Sequence, residues 1–73
     1  MPRQYIIENG AENNRWLYKI ERRGTPEQVN CFHPKIEDAV IFNAKAEAVA
    51  CAKRWKARAW QIKNGEPVKQ VWP

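Results

Sequence analysis

The chain has 73 residues, of which 44% are hydrophobic, including four Trp, two Tyr and two Phe, and its formal net charge is +5. Residues 1–73 can therefore make a single small domain with one core, built largely from aromatics. No apolar run approaches the ~20 residues needed to cross a membrane, and the charge is lopsided: residues 1–43 hold six cations and six anions, residues 44–73 seven cations and two anions.

Gln4–Glu8 (QYIIE) is a short β-branched run closed by Asn9-Gly10, which predicts a strand and a turn. RWLYKIE (15–21) alternates, placing Trp16, Tyr18 and Ile20 on one face and Arg15, Leu17, Lys19 and Glu21 on the other. RRGTPE (22–27) reads as a turn with Gly24 and Pro26 as breakers, and VNCF (29–32) as a short strand stopped at His33-Pro34. Asp38 is a possible helix cap, but the β-branched and aromatic VIF (40–42) favours continuing the sheet, with Asn43 as N-cap of a helix from Ala44 to about Lys56. Ala48, Cys51, Ala52 and Trp55 fall on one helical stripe, so Trp55 is expected to be the main contact of helix with sheet. Lys53 and Arg54 then point to solvent. ARAWQIK (57–63) returns to alternation, with Arg58, Trp60 and Ile62 sharing a face. Asn64-Gly65-Glu66-Pro67 makes a hairpin loop and VKQVW (68–72) the last strand. The expected fold is α+β: one helix packed on an antiparallel sheet of about four strands.

Chemistry is sparse. Cys31 and His33 sit at i and i+2 on one side of a strand, as a nucleophile and base would, but no orienting group or oxyanion donor accompanies them. Cys31, His33 and Cys51 lack the close paired spacing of zinc ligands, with one His in the chain and the two Cys 20 apart. The three glycines are isolated, so no phosphate-cradling loop exists. No catalytic residue, metal or cofactor is expected, and the chain reads as a non-enzyme. MPRQYIIENG holds too short an apolar pair for a secretory signal, which points to the cytoplasm and to free thiols at Cys31 and Cys51.

The informative feature is CAKRWKARAW (51–60). Lys53, Arg54, Lys56 and Arg58 could meet an acidic protein surface, with Arg and Trp as anchors. They could equally neutralise phosphates while Trp60 stacks a base, which makes a small basic nucleic-acid-binding protein the alternative. Cations at a helix C-terminus also complement the macrodipole, so part of the run needs no ligand. Arg22 and Arg23 would extend the patch if their turn lay beside the helix. A Lys53/Arg54/Arg58 to Glu triple variant is expected to stay folded and to bind its partner more slowly.

Over its whole length, from MPRQYIIENG through DAVIFNAKAEAVACAKRWKARAWQI, the chain resembles the small transcription regulators of lytic phages of plant-pathogenic bacteria. The resemblance implies a bacteriophage protein that binds host bacterial RNA polymerase, blocks initiation at host promoters and promotes read-through of terminators. The implied partner is the polymerase, at its largest subunit, with host elongation factors assisting read-through and direct nucleic-acid contact secondary. It implies no site residue.

Overall fold

The computed structural model describes residues 3–73; Met1 and Pro2, the head of the opening decapeptide, lie outside them. Five strands form one antiparallel sheet: β1 (Gln4–Glu8), β2 (Trp16–Glu21), β3 (Val29–His33), β4 (Arg58–Lys63) and β5 (Glu66–Trp72). Their spatial order is β3-β2-β1-β4-β5. The chain builds a meander outward from β1, crosses back through a 3₁₀ turn (Ile36–Asp38) and helix α1 (Lys45–Trp55), and lays β4 against the other side of β1. The expected α+β architecture holds, with five strands rather than four. VNCFH is a full strand, whereas VIF forms only a single bridge, Phe42 with Tyr5.

That bridge has a specific role. β1 and β2 pair at Glu8 and Trp16 and then part. Residues 40–42 occupy the opening: the Val40 N–H donates to the Leu17 carbonyl, and Phe42 exchanges two hydrogen bonds with Tyr5, all at 2.8 Å. The backbone groups left by the splayed strands are thus satisfied by a third segment. Ile36 and Ala39 before it pack on one face of the sheet, Val40 and Phe42 on the other. Both faces consequently carry a buried cluster. One cluster joins Tyr5, Ile7, Leu17 and Phe42 to Ala48, Ala52, Ala57 and Ala59 under the helix. The second joins Ile6, Trp16, Ala39 and Ile62. Ile6, Ile7 and Leu17 are fully buried, and truncating any of them to Ala costs about 2–5 kcal/mol.

Three local expectations are corrected. In β2 the register shifts between Leu17 and Lys19. This bulge breaks the alternation, so Leu17 and Ile20 both serve the helix side and Trp16 serves the opposite one. Helix α1 is capped by Ala44, with no side-chain bond to its first turn, rather than by Asn43. The β4–β5 turn is the two residues Asn64-Gly65, at φ 54° and 77°, while Glu66 and Pro67 already belong to β5. Positive φ at both positions matches the strand twist, and Asn-Gly tolerates it best.

Candidate partner-binding groove

Helix α1 lies chiefly over β1, β4 and β5. Its contact is made by Ala48 and Ala52, both fully buried, whose methyls let the helix close tightly on the sheet. Trp55, in the last turn, stands instead at the edge of the helix, 38% exposed, facing the half of the sheet that the helix leaves open. This corrects the expectation that Trp55 is the principal core contact.

Two joined hollows run along this opening between α1 and β2–β3. One, of about 560 Å³, is lined by Gln28, Val29, Asn30, Phe32, Trp55 and Lys56, closed at one end by the β1–β2 loop at Asn9–Ala11. The other, of about 220 Å³, is lined by Ile20, Arg23, Glu47, Cys51, Arg54 and again Gln28 and Trp55. Together they make a groove with a partly apolar floor, a tryptophan on its wall and cations on its rim. The loop end is fixed by contact: a Cβ on Gly10 would collide with the Lys56 carbonyl oxygen. Lys56 itself takes the left-handed conformation that ends the helix, at a cost of about 1 kcal/mol or more for a residue with a side chain.

The six basic candidates separate here. Arg23 crosses from its turn to the helix, its guanidinium 3.8 Å from Glu47, and so shares the groove with Arg54. The sequence pattern left that juxtaposition open. Arg54 lies over the Trp55 ring, 5.4 Å from its centroid, and Lys56 lines the far end of the groove. Arg22 points away and pairs with Glu27 at 3.0 Å. Lys53 is directed to the other side of the helix, 5.7 Å from the Trp72 ring of β5.

Arg58 is not a surface cation. It is the first residue of β4, directly opposite Glu8 of β1, with its Nε 3.0 Å from Glu8 Oε1 in an ion pair short of hydrogen-bond geometry. Its Nη2 donates to the Asn9 carbonyl at 2.7 Å. Glu8, 5% exposed, also accepts from the Trp60 Nε1–H at 2.8 Å and from the Asn14 N–H at 2.7 Å. Trp60 is thereby tied into the sheet on the face opposite the groove. The Lys53/Arg54/Arg58 to Glu variant would set a second carboxylate against buried Glu8 and is expected to unfold. Arg23, Arg54 and Lys56 are the residues to reverse instead.

Other candidates stay apart. Cys31 and Cys51 are free thiols, both half-buried, Cys51 in the groove and raised above the ordinary thiol pKa mainly by burial. His33 closes β3 rather than starting a loop. Its Nε2 lies 3.7 Å from Asp38 Oδ2 and its ring meets Tyr18 edge-on at 4.0 Å. Among the described residues no three His, Cys, Asp or Glu gather as a metal-binding group, and no helix is long and apolar enough to cross a membrane. The groove residues that the sequence did not single out are Phe32 and Asn30, within the expected strand VNCF, and Gln28, just before it. No family model, curated protein or solved structure matches this chain.

Proposed function

We propose that this protein is a non-enzymatic phage regulator that binds host RNA polymerase in the bacterial cytoplasm, inhibiting initiation and promoting read-through of terminators. Two things support the reading. The full-length resemblance supplies the partner, and the Trp55 groove supplies a means of gripping a protein. A rim of Arg and Lys around an exposed tryptophan is the composition of an interface hot spot, where Trp and Arg contribute most of the affinity. The observation that carries the reading is the meeting of Arg23 with Arg54 and Trp55, since it joins two separate basic stretches into one surface.

The nucleic-acid alternative needs Lys53, Arg54, Lys56 and Arg58 on one continuous face. They diverge to three sides, with Arg58 already paired, which favours the protein-binding reading.

The test is capture from host lysate by the tagged protein, with and without nuclease. Polymerase should be recovered equally in both. Recovery that disappears on nuclease treatment overturns the proposal, because the association would then run through nucleic acid. In purified transcription, the protein should reduce initiation and increase terminator read-through, and Trp55→Ala should weaken both effects together.

A further inference from the structure

Both edges of the sheet end in strands that pair on one side only, yet they are defended differently. β5 carries Pro67 and Lys69, and its register against β4 shifts twice. Proline, lysine and bulges are the devices that stop a strand from recruiting another chain. β3, Val29-Asn30-Cys31-Phe32-His33, carries no proline and no Lys, Arg, Asp or Glu, and the one irregularity in its pairing, at Leu17/Lys19, lies on β2. Each edge exposes a valine, Val29 at 48% on β3 and Val68 at 55% on β5, so the difference lies in the proline, the lysine and the bulges. The open edge also borders the groove, where Asn30 and Phe32 face Trp55 across the first hollow.

We propose that β3 accepts an extended acidic segment of a partner protein as an added strand. Main-chain hydrogen bonds along Val29–His33 would supply register, and pockets for alternate side chains would supply selectivity. Charge decides the occupant. The groove offers Arg23, Arg54 and Lys56 against the single carboxylate of Glu47, so acidic side chains suit the rim. The apolar surface of Phe32 and Trp55 suits a bulky aliphatic or aromatic side chain between them. Only the identity of the partner as polymerase rests on the proposed function; the docking mode does not.

Amide hydrogen exchange of the isotopically labelled protein tests this, using a short peptide of alternating glutamate and leucine and a control with lysine for glutamate. The acidic peptide should slow exchange at amides of Val29–His33 and shift Trp55, and Arg54→Glu should weaken its binding about tenfold. The lysine peptide should do neither. Protection on β5 instead, or none on β3, overturns the proposal. So does protection of β3 that grows with protein concentration alone, which would make the occupant a second copy. Binding of oligothymidine in the groove with exclusion of the peptide also overturns it.

Capture from host lysate separates this inference from the function. If wild type and Arg54→Glu recover polymerase equally, the groove is wrong and the function stands. If the peptide adds to β3 while wild type recovers no polymerase, the docking mode stands and the proposed partner is wrong.

Discussion

The half of the sheet under the helix and the half beside it use similar residues to different ends. In β1 and β4 the inward positions are filled: Ile7 and Ala59 meet Ala48 and Ala52, while Glu8 pairs with Arg58 and accepts from Trp60 on the other face. In β2 and β3, Ile20 and Phe32 reach the same core only at its margin, and Trp55, Val29 and Tyr18 remain substantially exposed. The covered half closes on the helix, and the open half leaves apolar side chains at the surface although Trp16 and Leu17 anchor it in the core.

That contrast breaks most sharply at Glu8. Glu8→Ala leaves the Arg58 charge and the Trp60 N–H without their partner and should cost about 3–5 kcal/mol, read as a lowered denaturation midpoint. For a domain of this size that is much of the total stability. Glu8→Gln, which keeps an acceptor for Trp60, should cost less.

Gly10→Ala acts at the seam between the halves. Its new methyl would meet the Lys56 carbonyl, and moving that backbone should cost about 1–3 kcal/mol. Because Gly10 and Lys56 both line the groove, partner binding should weaken even in molecules that remain folded. Equal affinity in wild type and variant would separate the loop from the site.

Trp55→Ala reverses the order of effects. With its ring at the groove wall rather than in the core, its stability cost should be about 1 kcal/mol, while its binding cost should be 2 kcal/mol or more, at about the hot-spot threshold. A large drop in melting temperature with unchanged affinity would return Trp55 to the core and remove the comparison altogether.

The smallest effect concerns Cys51. Burial raises its pKa above the ordinary thiol value of 9.0, so the folded state holds its proton more tightly than the unfolded chain does. Its contribution is fully present below the unfolded value and is lost as pH rises through the folded one. Stability measured from neutral to alkaline pH should therefore decline slightly less steeply in Cys51→Ala than in wild type.

Much of this architecture was legible in the residues. QYIIE, VNCF, the Ala-rich helix and the alternation of Arg58, Trp60 and Ile62 each carry a local period or composition that short-range sterics and burial enforce. The Asn-Gly turn likewise follows from its own backbone preferences. Local pattern also singled out the three cations that the fold brings to the groove, Arg23, Arg54 and Lys56.

Tertiary structure decided the rest. Helical periodicity placed Trp55 on the stripe with Ala48, but could not show that the sheet under the last turn would leave Trp55 at the margin while Ala48 and Ala52 make the contact. Charge alone made Arg58 look free, because its partner Glu8 stands 50 positions earlier and meets it only across the β1–β4 pairing. Alternation misplaced Trp16 because one bulge at Tyr18 reverses the phase of β2, and VIF took a single bridge because β1 and β2 splay and leave room for no more. Apart from VIF, the sequence by itself determined which segments are strand, helix and turn, since those depend on neighbours along the chain. Which side chains face solvent, which cations are spent on ion pairs and which sheet edge stays open depended on long-range pairing, because only the folded register brings distant residues within reach of one another.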